Sequence, residues 1–245
     1  MMAEGGIAVV QLTNPPVNVL NRGTLAALAA AFRATAGAAD VNAVVLGSSS
    51  TKVFSAGLDI KEMVGASTES LSSYLQLVVD VFRTAYVHPK PVIAAMSGAA
   101  PAGGCWLGLL ADYRIMTDAP NARIGLNETA LGLAAPLFFS RPFAVAVGER
   151  AAERLLALGA LVPPQEALRL GLVDALAPAA DVPAAALAEA RKWAAIPAAA
   201  RTRTKLHLRS PLMTAVAADA DAAAADFVAS VLRPDTQALM AKFAR

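Results

Sequence analysis

Lys90-Pro91-Val92-Ile93-Ala94-Ala95-Met96-Ser97-Gly98-Ala99-Ala100-Pro101-Ala102-Gly103-Gly104-Cys105-Trp106 reads as a buried strand, a turn of small residues and a helix entered through paired glycines. Pro91–Met96 is a compact apolar run of strand length. Ser97–Ala100 carries side chains too small to fill a core, and Pro101 suits the opening of a helix. The pair Gly103-Gly104 lets the main chain come close to a ligand, and the unpaired N–H groups at a helix start favour negative charge. Taken alone, a glycine pair is also what a tight turn needs.

A second turn of the same kind lies upstream, in Phe54-Ser55-Ala56-Gly57-Leu58-Asp59-Ile60-Lys61-Glu62-Met63. Gly57 frees the backbone, and Leu58 then offers its N–H where a strand passes into a helix. Asp59 and Glu62 have the spacing of a capping box and are read as structural acids. Downstream comes Ile124-Gly125-Leu126-Asn127-Glu128-Thr129-Ala130-Leu131-Gly132, in which Glu128 is the one acid placed to work beside the two turns. A single carboxylate next to an oxyanion site can move a proton but is poorly equipped to add water. An apolar setting of Leu126, Leu131, Leu133 and Trp106 would raise its pKa toward neutrality. Asn127 either closes the turn or orients the carboxylate.

Around these segments the front of the chain alternates β-like and helical runs, which indicates an α/β fold. Ile7–Leu12, Ala43–Gly47, Tyr113–Met116 and Ala122–Gly125 read as strands. Thr24–Ala36, stopped by Gly37, and Leu71–Tyr86, stopped by His88-Pro89, read as helices. After Pro136 only helices are expected: Leu137–Val147, Glu149–Leu158, Pro164–Leu170, Pro183–Ala195 and Met213–Leu232, broken at Gly148, Gly159, Gly171 and Pro197. The pattern divides the chain into a core, residues 1–196, and a helical segment, 197–245. No fixed-period repeat is visible.

Composition limits the chemistry. The 245 residues suffice for one well-cored domain. Hydrophobic residues make up 56% and charged residues 16%, with a mean hydropathy of +0.51, so some apolar surface is expected to be hidden by self-association. No apolar run is long enough to span a bilayer, so no membrane role is expected. A net charge of +2 gives no general basic field for nucleic acid. Arg201, Arg203, Lys205 and Arg209 form a local cluster, read as a solvated helix face or as a contact for an anionic ligand. One cysteine, Cys105, excludes an intramolecular disulfide and is read as packed and inert; with His88 and His207 as the two histidines, neither a zinc site nor a Cys–His pair is expected. The strand pattern starts almost at once, leaving no room for a targeting segment, so a bacterial cytoplasm or, in mature form, a mitochondrial matrix is expected.

In combination these segments resemble the enoyl-CoA hydratase/isomerase, or crotonase, superfamily. The order of Phe54–Met63, Lys90–Gly98, Pro101–Cys105 and Ala111-Asp112-Tyr113-Arg114-Ile115 carries the likeness, together with Asn14-Pro15-Pro16-Val17-Asn18, Gly148–Arg154 and Gly171-Leu172-Val173-Asp174. It spans essentially the whole chain. The resemblance implies a spiral of ββα units with a C-terminal helical segment for trimer formation or lid closure. It also implies a homotrimer or dimer of trimers, and an acyl-CoA thioester substrate that brings its own coenzyme A, with no metal or other cofactor.

The run Ile124–Thr129 with Leu131-Gly132 and Ala135-Pro136 is most similar to the mitochondrial-type Δ3,Δ2-enoyl-CoA isomerases. By that resemblance Glu128 is the catalytic base, and the N–H groups of Leu58 and Gly103 form the oxyanion hole. Ala56, Gly57, Gly104, Trp106, Asn127 and Leu131 are expected to contact substrate. Two-glutamate hydratases carry a second acid where this chain has Trp106, which excludes water from that side and is expected to reshape the acyl pocket. A hydratase, another acyl-CoA enzyme of the family, or a non-catalytic CoA- or RNA-binding homologue are the alternatives.

Overall fold

A strand buried on both faces has no polar side to alternate with, so it reads as an unbroken apolar run. In the computed structural model, which describes residues 2–243, the runs β2 (Ile7–Leu12), β4 (Ala43–Ser48), β6 (Val92–Met96) and β8 (Tyr113–Thr117) lie parallel in one sheet. β1 (Met2–Glu4) pairs antiparallel with β2 at one edge, and β10 (Ala175–Ala177) pairs parallel with β8 at the other. Each central strand is followed by a short one that leaves the sheet: β3 (Val19–Leu20), β5 (Gly57–Leu58), β7 (Ala100–Pro101) and β9 (Ile124–Gly125). β3 pairs with β5 and β7 with β9, as two separate two-stranded sheets. The helices α1 (Arg22–Gly37), α2 (Thr68–Tyr86) and α3 (Gly103–Leu109) then close three successive ββα units. This is the expected spiral.

Side-chain alternation divides the core across the sheet. Ala8, Val10, Leu12, Val44, Leu46, Val92, Ala94 and Met96 face the larger core beneath α1 and α2. Ile7, Ala43, Val45, Ile93, Ala95 and Ile115 face the other way, against Val182, Ala186 and Ala190 of α7 (Val182–Ala194). Burial of α7 therefore seals the second face. Asn21 and Ser67 cap α1 and α2 by accepting from Thr24 N–H and Ser70 N–H.

The back of the chain continues as α4 (Leu137–Val147), α5 (Glu149–Ala157) and α6 (Pro164–Leu170), before α7. Gly148, Gly159 and Gly171 end their helices at positive φ, as their positions suggest. Three expectations are corrected. Strands do not stop at Pro136: β10 completes the sheet edge, its Ala-Leu-Ala sequence carrying no β-branched signal. Met213–Leu232 is two helices, α8 (Ala198–Ala218) and α9 (Ala220–Leu232), followed by α10 (Pro234–Phe243). α8 starts well before Met213 because it runs through Pro211, held by anchors described below. Finally, α3 opens at Gly103 rather than Pro101, which belongs to β7.

Candidate active site

The two glycine turns meet because their glycines let backbone touch backbone. A Cβ on Gly57 would lie 2.7 Å from Gly103 N, one on Gly103 would lie 3.0 Å from Leu58 N, and one on Gly104 would lie 2.2 Å from Ser55 O. Gly57 also has φ +93°, which L side chains rarely adopt. The N–H groups of Leu58 and Gly103 are thus immediate neighbours. Gly103 is the first residue of α3, so no carbonyl one turn earlier accepts its N–H. Ala102, which aims that N–H, sits at φ +49° and ψ −127°, a disfavoured conformation for a residue with a Cβ.

Asn18, buried and also at positive φ, ties the first turn down. Its side-chain amide donates to Ser48 Oγ (2.8 Å) and Phe54 O (3.2 Å), and its carbonyl accepts from Ser55 Oγ (2.7 Å). Ala56 N–H donates to Val17 O (2.9 Å) in the same loop.

Glu128 reaches these turns through β9. Ala102 N–H donates to Gly125 O (2.8 Å), which sets the strand beside the second turn. The chain then winds into a 3-10 turn, Glu128–Leu131, ended by Gly132 at φ +78°. Thr129 Oγ donates to Leu156 O (2.8 Å) and fixes that turn to α5. The Glu128 residue is only half-buried, yet its Oε2 is closed off from solvent and has no hydrogen-bond partner. Burial pushes its carboxyl up from 4.5 to about 7.

Ala56, Leu58, Gly103, Asn127, Glu128 and Leu131 all line one cavity of about 180 Å³. Among the described residues lining it, Glu128 is the sole ionisable one. The remaining site candidates stand elsewhere. Gly57 and Gly104 serve the contact between the turns and do not line the cavity. Trp106 does not line it either; neither does Leu126. Trp106 is fully buried behind the wall, stacked on Phe139 (ring centroids 4.6 Å, 6° between planes), with its indole N–H donating to Phe138 O (3.1 Å). The direct substrate contact expected of Trp106 is therefore replaced by support of Phe138 and Phe139, which do line the cavity. Asn127 closes the turn, its carbonyl accepting from Ala130 N–H (3.1 Å), while its buried Oδ1 has no partner.

Sequence reasoning missed the apolar walls: Leu75 and Val78 of α2, Phe138 and Phe139 of α4, Phe227 of α9 and Phe243 of α10. The aromatic pair Phe138-Phe139, just after Pro136-Leu137, was the available signal. The roof comes from the C-terminal helices of the same chain, and α10 is held by Gln237, which accepts from Gly65 N–H (2.9 Å) and donates to Met63 O (3.2 Å).

Asp59, Glu62, Cys105 and His88 have structural roles. Asp59 accepts from Lys61 N–H (3.0 Å), but Glu62 does not return the capping-box bond; it pairs with Arg22 (2.8 Å), and Asp59 N–H goes to Tyr74 Oη (2.9 Å) instead. Cys105 is buried, and burial holds its thiol far above the usual range. His88 is buried between Thr35 and Lys90, with burial lowering its pKa.

Two members of the basic cluster, Lys205 and Arg209, are corrected from both readings. Lys205 (2.6 Å) and Arg209 (3.0 Å) bind the buried Asp112, and Arg209 also donates to the carbonyls of Tyr86, Leu110 and Ala111. Arg201 donates to Trp193 O and Ile196 O, and Arg203 alone of the four is exposed. These contacts carry α8 through Pro211. Arg114 and Asp174 (3.0 Å) make a similar tie between β8 and the segment before β10.

The chain matches the family of enoyl-CoA hydratases and isomerases over residues 2–243. It is 38% identical over 235 residues to human mitochondrial enoyl-CoA delta isomerase 1, covering 96% of this chain and 78% of that one. A putative enoyl-CoA hydratase of Thermus thermophilus is 36% identical over 217 residues, covering 87% and 82%. The crystal structure of the human mitochondrial delta3-delta2-enoyl-CoA isomerase superposes with a TM-score of 0.95 at 37% identity, covering 98% of this chain and 93% of that one. A likeness that takes in the spiral, both turns and the helical roof together leaves one assignment: the chain belongs to the enoyl-CoA hydratase/isomerase family.

Proposed function

We propose that the protein is a Δ3,Δ2-enoyl-CoA isomerase, moving the double bond of a 3-enoyl-CoA into conjugation with the thioester to give trans-2-enoyl-CoA, as fatty-acid β-oxidation requires. The observation that carries this reading is the solitary Glu128, with a carboxyl near neutrality, in an apolar cavity whose wall includes the Leu58 and Gly103 turns. Glu128 takes the proton at C2, which both the carbonyl and the double bond acidify. The electron pair moves through the conjugated system onto the thioester oxygen. Leu58 N–H and Gly103 N–H hold that charge, one such donor being worth about 3–4 kcal/mol. The protonated Glu128 then returns the proton at C4, and the double bond settles between C2 and C3. A carboxyl pKa near 7 suits both halves, since the base must take the proton and give it back.

Coenzyme A enters as part of the substrate, and the sequence of proton transfers uses no metal or redox group. Hydration would need a second acid to activate water, and the position at which two-glutamate relatives are expected to carry it holds Trp106. Ile196 just before α8 and Leu208 within it are exposed apolar residues, which supports the assembly of the helical segment 197–245 into a trimer or dimer of trimers. No described helix is long and apolar enough to cross a membrane.

The test is incubation with a 3-enoyl-CoA while the absorbance of the conjugated thioester is followed. Wild type should turn over, and Glu128→Gln should lose about 10²–10⁴-fold in kcat, the usual share of a positioned base. Equal rates for the two proteins would remove Glu128 from the mechanism. Light scattering that returned a single 25.0 kDa chain would remove the oligomer.

A further inference from the structure

The cavity that holds Glu128 is small. Pockets for drug-sized ligands commonly run to about 300–1,000 Å³, and this one measures about 180 Å³. It has room for the reacting end of an acyl chain and little beyond it. A second cavity, of about 390 Å³, lies on the far side of two side chains, Leu75 and Phe138, which line both spaces. Val79, Leu137, Val216 and three alanines of α9 build its apolar floor, and five polar residues, Ser72, Gln76, Asp80, Arg83 and Asp219, line the rest. The isomerase chemistry makes no use of this space.

The partition between the two cavities is braced. Phe138 and Leu75 are each 4% exposed. The Phe138 ring meets Trp106 edge-on (6.3 Å, 71°), Phe139 edge-on (5.2 Å, 74°) and Phe82 at a tilt (5.6 Å, 47°). Its carbonyl is held by the Trp106 indole N–H, and Trp106 is itself stacked on Phe139. A ring held by three aromatic neighbours and a main-chain bond does not swing aside without breaking those contacts.

We propose that Phe138 and Leu75 set the acyl chain length of the enzyme: short 3-enoyl-CoA tails fit against the partition, and long tails are refused because they would have to pass through it. Trp106 acts as the positioning residue that holds Phe138 in place. Removing the partition joins the two cavities and admits a long alkyl tail to the apolar floor. This rests on the isomerase reading for its substrate class, but not for the existence of the partition.

The experiment compares kcat/KM for trans-3-hexenoyl-CoA and trans-3-dodecenoyl-CoA in wild type, Phe138→Ala, Phe138→Leu and Trp106→Phe. Wild type should favour the hexenoyl ester. Each methylene moved from water to an apolar wall is worth up to about fourfold, so Phe138→Ala should raise the dodecenoyl-to-hexenoyl ratio by at least about tenfold. Phe138→Leu keeps more of the packing and should move the ratio in the same direction if the alanine variant does not fold. Trp106→Phe should raise it less, through KM for the long ester and not through kcat for the short one. Wild type that handles dodecenoyl ester as well as hexenoyl, or folded Phe138 variants with an unchanged ratio, would overturn the proposal. If wild type turned over neither ester, the isomerase reading would fail instead. The partition is then read by calorimetry, as the ratio of Kd values for saturated hexanoyl- and dodecanoyl-CoA across the same variants.

Discussion

Replacing Glu128 by Gln should stabilise the protein while disabling it, and the gain should depend on pH in a defined way. The folded carboxyl titrates near 7, against 4.5 when unconstrained, because burial disfavours the charged form. The folded pKa is raised, so the stability this group permits is fully present below pH 4.5. It falls as the unfolded chain ionises first, and levels off once the pH has passed about 7. At about 1.4 kcal/mol for each tenfold change in proton affinity, the penalty above neutrality is about 3 kcal/mol. Gln has nearly the shape of the protonated acid and never ionises, so it escapes that penalty. For a chain of this size 1 kcal/mol moves Tm by about 2–4 °C. The variant should therefore melt about 6–12 °C above wild type at pH 8, and close to it at pH 4.5. Thermal melts followed by circular dichroism at both pH values measure the difference. A shift that is the same at both, or a variant less stable than wild type at pH 8, would refute the burial of an ionised carboxylate as the origin of the effect.

Other perturbations reach different parts of the structure. In wild type, kcat/KM for a 3-enoyl-CoA should fall about tenfold per pH unit below about 7, since proton abstraction needs the carboxylate; a flat profile down to pH 5 would contradict this. Gly57→Ala sets a Cβ against Gly103 N at positive φ and should lower kcat by about 10²–10³, the loss typical of one oxyanion donor, as single-turnover kinetics can read. Asp112→Ala leaves Lys205 and Arg209 without their buried partner and should cost about 3–5 kcal/mol in urea denaturation, a loss under 1 kcal/mol marking the pair as unimportant.

The parts of the fold legible in the sequence were those whose cause is local. A strand covered on both sides must be apolar throughout, so Ala43–Gly47 and Pro91–Met96 announce themselves, and Ile7–Leu12 does so except at the exposed Gln11. Glycines at forced approaches do the same, which made the turns at Gly57 and Gly103 visible before their contact was known. No repeat period appeared because the first strands of the ββα units begin at residues 7, 43 and 92, at unequal intervals. What stayed hidden depends on partners distant in the chain. The basic residues of α8 read as a surface or an anion contact because nothing near them names Asp112, about ninety positions earlier. Trp106 read as a pocket wall because its neighbours Phe138 and Phe139, which stand between it and the cavity, lie more than thirty residues later. β10 was missed since three residues without β-branching at a sheet edge owe their conformation to β8 alone.

The roof over the cavity has a consequence for the order in which the protein becomes active. Glu128 and both turns belong to the front and middle of the chain, whereas Phe227 and Phe243 come about a hundred residues later. During synthesis the reacting groups are therefore in hand well before the wall that dries them. Until α9 and α10 dock, the cavity lacks Phe227 and Phe243, and the burial that raises the Glu128 carboxyl is incomplete. The closing helices complete the wall, so a partly made chain carries the reacting groups without the full enclosure around them.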